Sequence, residues 1–235
     1  MHFSNIYVPI KIYYNCKNIF ILKVDLYYFP NKIILSNFQS YIFIYDILSS
    51  IIMIGVNYLI KRKFNYKSNL AYYEIAEFMR KYINSDTIIV CIGTDKCVGD
   101  CLGPLVGTFL EEHNFPLPVY GTLKDPIHAL NLDKKLIEIN KIHPNASIIG
   151  IDACLGDTNS IGEIHTRDYP IHPGKGVGKS LPDVGTASII GIIDSSDTAE
   201  FFTSRSIRLH LVFEMAKIIS HGLIHAYYLN TIINK

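Results

Sequence analysis

The chain has 235 residues, of which 49% are hydrophobic, and a formal net charge of +1. This composition supplies a sizeable core for one large domain with room for an appendage. The low net charge, without a basic stripe interleaved with aromatic residues, argues against a nucleic-acid partner. Five cysteines at no repeating spacing and no evident cleavable signal predict a reducing, cytoplasmic location.

Residues 1–60 differ from the rest of the chain, being rich in Ile, Tyr, Phe, Asn and Lys and lacking a clean helical or strand periodicity. Residues 41–60 are long enough to span a bilayer and precede a basic cluster at 61–63, as in a membrane anchor. Asp46 and Asn57 weaken that interpretation, because one charged residue in a single span costs about 2.5–3.5 kcal/mol. We therefore expect no membrane partner.

We interpret residues 1–60 as an atypical extension, and we expect the biological start to be Met53, with the upstream residues a translated leader of A/T-rich DNA. An extension that packs on the domain or stays disordered is the alternative. Residues 69–230 are predicted to form a single domain, since no internal repeat or second boundary appears in them.

From residue 69 onward the pattern alternates between helix and strand. Helices are predicted at residues 70–83, 102–113, 129–142 and from Ser195 or Ser196 to about 229, with a break near 204–206. Strands are predicted at residues 87–92, 118–123, 147–153, 162–169 and 187–193. This alternation implies crossover connections and a mainly parallel sheet with helices on both sides. The apolar face of the last helix is expected to be core, with a homo-oligomer contact as the alternative.

Two of these strands end at carboxylates. The buried strand at 88–92 leads into a glycine-containing loop that carries Asp95 and Asp100, and the strand at 147–151 leads directly to Asp152. If the strands are neighbours, both carboxylates project over one sheet edge, where ligands collect in α/β folds. Asp100 and Asp152 could then share a proton as a base and acid pair for amide hydrolysis. The alternative is that Asp100 caps the following helix and Asp152 caps a turn.

Other polar groups have weaker assignments. Residues 173–180 resemble a phosphate-binding loop, but a proline replaces its first glycine and Pro182 prevents the helix that should follow. We therefore expect a glycine-rich loop in which Lys175 or Lys179 contacts substrate. His128 is expected near the same sheet edge, either as a surface hydrogen-bonding group or as part of the site. The Cys97-x3-Cys101 spacing is loose for zinc, and no metal ligands are assigned.

The two aspartate segments also resemble a known group of proteins. The matching stretches are Cys91-Ile-Gly-Thr-Asp95, Gly99-Asp-Cys-Leu-Gly-Pro-Leu-Val-Gly107, Tyr120-Gly-Thr-Leu123, His128-Ala-Leu-Asn131 and Ile151-Asp-Ala-Cys-Leu-Gly156. They resemble the YyaC-type sporulation protein and spore protease family, which is related to the germination protease and hydrogenase maturation protease superfamily. The resemblance covers residues 88–226 and leaves residues 1–60 out.

This resemblance implies a three-layer α/β/α fold and peptide hydrolysis by Asp100 and Asp152, with Gly93, Thr94 and Asp95 in a supporting loop. It also implies a protein or peptide substrate, such as small acid-soluble spore proteins, inside an endospore-forming bacterium. The loop departs from the related proteases, because Gly93 is followed by Thr94 where they favour Asn, and the metal-recognition histidine of the maturation enzymes has no counterpart that we can place. No cofactor is therefore assigned, and a divalent metal is the alternative. The alternative function is a non-catalytic sporulation protein that binds a peptide or metal in the same pocket.

Overall fold

The computed structural model describes residues 6–11, 23–29, 32–35, 60–173, 181–196 and 207–233. The chain divides into two compact units, Met1–Tyr58 and Leu59–Lys235. In the first unit, strands β1 (Ile6–Lys11), β2 (Lys23–Phe29) and β3 (Lys32–Leu35) form an antiparallel sheet in that order. Met53, and the possible membrane span up to residue 59, lie outside the described residues.

The second unit is built on a six-stranded sheet. Its strands are β4 (Lys61–Asn65), β5 (Thr87–Cys91), β6 (Val119–Tyr120), β7 (Ser147–Gly156), β8 (Glu163–Arg167) and β9 (Ala187–Ser195). Their spatial order is β4-β8-β9-β7-β5-β6. The neighbours from β9 to β6 are parallel, whereas β8 is antiparallel to both β9 and β4. The mainly parallel sheet is thus confirmed.

Among the described residues, four α-helices cover the sheet: α1 (Ala71–Met79), α2 (Leu102–Glu112), α3 (Leu132–Ile142) and α4 (Leu209–Ile233). Buried side chains of α1, α2 and α4 share one core with alternate strand residues such as Ile89 and Ile151. The intervening residues, such as Ile88 and Val90, pack with α3 on the opposite face. Because both faces are covered, β5 is buried along its whole length. The result is the expected three-layer α/β/α fold.

Some elements differ from the prediction. Ser195 ends β9 and therefore cannot cap a helix; α4 begins at Leu209, and the helix and break predicted at 197–206 lie outside the described residues. The strand predicted at 118–123 is paired only at Val119–Tyr120, because Gly121 has a positive φ of 88° and lies so near β5 that a Cβ on it would be 1.9 Å from the Cys91 carbonyl oxygen. The basic cluster at 61–63, which the sequence pattern indicated as the flank of a membrane span, lies instead in strand β4.

Two further findings bear on partners. The predicted apolar face of α4 is core at Val212, Ala216, Ile219 and Leu223, which are fully buried, whereas Leu209 and Phe213 of the same predicted face are exposed. Among the residues that the structure describes, no helix combines the length and apolar character that a membrane crossing requires.

Candidate functional site

The loop after β5 is folded tightly back on itself. Gly93 has a φ of 141°, and a Cβ on it would lie 2.0 Å from the carbonyl oxygen of Asp100. Its N–H donates to the carbonyl of Ile127 (2.7 Å), and the Thr94 N–H donates to the carbonyl of Asp100 (2.9 Å). Only glycine tolerates both the positive φ and this close approach. Gly93 therefore closes the loop that holds Asp100 at the end of β5.

Asp100 ends a 3-10 turn, Val98–Asp100, that contacts β7. The helix α2 starts after Cys101, and no side chain of that N-cap residue caps it. Asp100 is partly buried, and this burial raises its pKa to about 6, although the Thr94 N–H partly opposes the shift. The carboxyl group thus has a setting unlike that of an exposed helix cap.

Asp152 lies inside β7 rather than beyond its end, because β7 continues to Gly156. Its neighbour Ile151 pairs with Cys91, the last residue of β5, so Asp152 stands one residue past the end of the adjacent strand. One carboxylate oxygen, Oδ1, accepts the N–H of Ala153 (2.8 Å). Asp152 therefore caps no turn, and it faces the same loop region as Asp100.

Burial raises the pKa of Asp152 well above its ordinary value, and the negative charge of Asp100 raises it further. The Ala153 N–H and the positive charge of Arg167 oppose that rise. The charge of Asp100 thus adds to burial in disfavouring ionisation of Asp152, so the carboxyl group of Asp152 is the harder of the two to ionise.

The remaining predicted residues fall into two groups. Asp95 is exposed in the loop, within 3.5 Å of the Thr94 hydroxyl, and its charge raises the pKa of Cys101. His128 directly follows Ile127, whose carbonyl accepts the Gly93 N–H, so it lies beside the same loop. Its Nδ1 accepts the N–H of Leu130 (3.2 Å), which leaves the proton on Nε2. The structure therefore groups these two residues around Asp100.

Lys175 and Lys179 lie outside the described residues, and their assignment stays a prediction. The alternative of a metal site has no candidate among the described residues. In them, no group of three or more His, Cys, Asp or Glu side chains is arranged to hold an ion. The predicted site residues that offer oxygen donors at this sheet edge are Asp100 and Asp152.

Sequence reasoning missed a second set of polar residues on the sheet face that carries Asp152. His165 lies two strands away in the same row, buried and within 2.7 Å of Glu163, and Arg167 reaches toward β7 from the next row. The alternation within the predicted strand at 162–169 indicates that His165 and Arg167 share a face. It does not indicate that this face is the one with Asp152.

Comparison with known proteins agrees with the resemblance noted in the two aspartate segments. A family profile described as "Protein of unknown function (DUF1256)" matches residues 63–222, which include every strand of the six-stranded sheet in whole or in part. The uncharacterized protein YyaC of Bacillus subtilis (strain 168) is 43% identical over 150 residues, or 63% of this chain and 73% of YyaC. The chain therefore belongs to the YyaC-type, DUF1256 family.

Proposed function

We propose that this protein is an endopeptidase of an atypical aspartic type, in which Asp100 and Asp152 hydrolyse a peptide bond with an activated water. The observation that supports the proposal is the pair of carboxyl groups at one sheet edge, where burial raises the pKa of both and the charge of Asp100 further raises that of Asp152. Raised pKa values in interacting carboxyl pairs are typical of acid and base catalysis.

The proposed reaction uses the two protonation states in turn. The ionised Asp100 takes a proton from water as the water oxygen bonds to the carbonyl carbon, while protonated Asp152 donates its proton to the carbonyl oxygen. The tetrahedral intermediate then collapses: Asp100 passes its proton to the leaving nitrogen, and the hydroxyl that Asp152 protonated returns its proton to Asp152. Both carboxyl groups end in their starting states.

The substrate class follows from the family resemblance and is part of the proposal. We propose a protein or peptide substrate, small acid-soluble spore proteins being the first to test, in the cytoplasm of a sporulating bacterial cell. Supporting roles are proposed for Asp95 and His128, which border the loop, and for Lys175 and Lys179.

The test is cleavage of purified small acid-soluble spore proteins by the full chain, compared with Asp100→Asn and Asp152→Asn. Each substitution keeps the shape of the side chain and removes its titration, so we expect each to lower the rate at least about 100-fold. Asp157→Asn, an exposed carboxylate beyond the end of β7, is the matched control and should keep full activity. Assays run with and without EDTA show whether a divalent metal is needed.

Cleavage that persists in both Asn variants would overturn the assignment of the pair. If the parent chain cleaves neither these proteins nor a broad peptide mixture, while the Asn variants still bind peptides, the non-catalytic interpretation replaces the enzymatic one.

A further inference from the structure

The sheet face beside Asp152 carries several charged side chains toward its exposed β4 edge. The strand registers place Lys63, His165 and Ile190 in one row with Asp152. In the neighbouring row they place Lys61, Arg167 and Ser188 with Gly150. Directly paired residues of neighbouring strands project to the same side of a sheet. These side chains therefore surround the approach to Asp152.

Arg167 extends across this face toward β7. Its Nε donates to the hydroxyl of Ser188 on the intervening strand β9 (3.1 Å), and the Ser188 hydroxyl donates to the carbonyl of Tyr169 (2.8 Å). The guanidinium carbon is 4.9 Å from the centre of the Tyr169 ring, and its positive charge acts on Asp152. The side chain is thus held through Nε and the aromatic ring, and within the described parts of the chain no hydrogen bond engages its two terminal nitrogens.

Lys61 brings a second cation to the same place. Burial and the charges of Lys63 and Arg167 lower its pKa, and its ammonium also senses the Cys154 thiol two residues beyond Asp152. The charges of Lys63 and Arg167 that act on the Lys61 ammonium mark a site of positive potential, which the Glu163 carboxylate offsets in part.

The nearby carboxylates are already engaged. Glu163 pairs with Lys63 (3.6 Å) and with His165 (2.7 Å), and Asp168 Oδ1 accepts the N–H of Ile60 (2.6 Å). Within the described parts of the chain, neither Lys61 nor Arg167 has a carboxylate at ion-pair distance. Lys61 is exposed and Arg167 is partly buried on the paired strand, so an anion that arrives from solvent can contact both cations.

We propose that Arg167 and Lys61 bind a carboxylate of the peptide that occupies the site, so that the protein selects substrates with an anionic group near the bond at Asp152. This inference rests on the proposed function of the same site. The planar guanidinium can hold both oxygens of a carboxylate, and the lysine ammonium adds a point charge. The carboxylate is either an acidic side chain or the carboxyl terminus of the peptide, since both present the same group.

The test measures binding, so that it does not depend on cleavage. Three fluorescein-labelled octapeptide pools, randomised at the other positions, carry a central Glu with an amidated C-terminus, a central Gln with an amidated C-terminus, or a central Gln with a free C-terminal carboxylate. Fluorescence anisotropy with the full chain carrying Asp152→Asn gives the affinities. We expect one of the two carboxylate-bearing pools to bind at least fivefold more tightly than the neutral pool, and the identity of that pool tells which carboxylate is recognised.

Arg167→Gln and Lys61→Gln should each abolish this preference. Arg167→Lys, which keeps the charge and guards against a fold defect in the Gln variant, should retain a reduced preference. Arg62→Gln is the matched control, because Arg62 is on the same strand as Lys61 but pairs with Thr166 on the opposite face, where its guanidinium packs 5.9 Å from the Phe78 ring. That variant should keep the full preference.

Three outcomes would overturn the proposal: equal binding of all pools, loss of the preference in Arg62→Gln to the same extent as in Arg167→Gln, or tighter Arg167-dependent binding of a labelled oligonucleotide than of either anionic pool. Failure of the proposed function is distinguished separately, because it appears as absent cleavage in the parent chain while the carboxylate preference persists.

Discussion

The two aspartates occupy the same sheet edge but lie in different surroundings. Asp100 sits in a short turn where the Thr94 N–H stabilises its charge, whereas Asp152 is inside a strand and also experiences the charge of Asp100. This asymmetry orders their titrations, and in the mechanism that we propose it makes Asp100 the base and Asp152 the acid.

The pH dependence of cleavage follows from that order. The value of kcat/KM should rise with pH through about 6, as Asp100 loses its proton, and fall at higher pH as Asp152 loses its own. Initial rates on one substrate between pH 4.5 and 9 measure both limbs. A rate that is already maximal at pH 4.5 would contradict the role of Asp100 as the ionised base.

Asp100 should also weaken the fold at neutral pH. Its pKa is about 6 in the folded state against 3.8 for an ordinary Asp, so between these values the folded state holds more protons than the unfolded state. Raising the pH through this window therefore lowers the free energy of unfolding, and the loss is complete above about pH 6.

Asp100→Asn removes that titration, so we expect the variant to exceed the parent in Tm by more at pH 7.5 than at pH 4. For a chain of this size each kcal/mol shifts Tm by about 2–4 °C. Thermal unfolding followed by circular dichroism is the measurement, and Asp95→Asn, in the exposed part of the same loop, is the control. A Tm difference between Asp100→Asn and the parent that does not grow with pH would contradict this account.

The packing of α2 against β5 positions the Asp100 loop. Gly103 lies in the first turn of α2, and a Cβ there would meet the carbonyl oxygen of Ile92 at 2.1 Å. Backbone atoms cannot move aside as a side chain can, so the helix would have to shift away from the strand. The loop between them would move with it.

We expect Gly103→Ala to lower the free energy of unfolding by at least about 2 kcal/mol and to reduce cleavage. Gly156→Ala, at the end of β7, is the comparison, because a Cβ there meets only the Ile192 side chain, at 2.9 Å. It should cost less than about 1 kcal/mol. Urea unfolding of both variants decides the matter, and equal midpoints would show that the close approach of α2 to β5 is not rigid.

The division of the chain into two units predicts how truncated forms behave. A chain that begins at Met53 contains the whole second unit, Leu59–Lys235, including β4. A chain that begins at Asn69 lacks β4, and β8 then becomes an unpaired edge strand. Exposed edges promote association between molecules.

We therefore expect the chain from Met53 to unfold in one transition with a Tm within about 2 °C of that of the full chain, and the chain from Asn69 to unfold earlier and to aggregate. Differential scanning calorimetry and light scattering report the two effects. Equal Tm values for the two truncated chains would show that β4 contributes little, and a lower Tm for the Met53 form would show that the first unit stabilises the second.

The sequence by itself determined the fold class, the central strands of the larger sheet and the candidate pair. Uninterrupted apolar runs such as 88–92 and 147–151 are typical of strands buried on both faces, and the alternation with helices implies parallel neighbours whose carboxyl ends meet at one edge. These patterns are local, so they are visible in the sequence alone. Asp100 and Asp152 are the acidic residues that follow the two runs.

Only the tertiary structure decided which distant residues share the face of Asp152. The reversed direction of β8, the pairing of β4 with β8 and the extension of β7 past Asp152 arise from strand pairing between segments far apart in the chain. A strand pattern shows which residues share a face but not which face or which neighbour it meets, because a shift of one residue in register reverses both. For that reason Arg167 and Lys61 emerged only from the folded sheet.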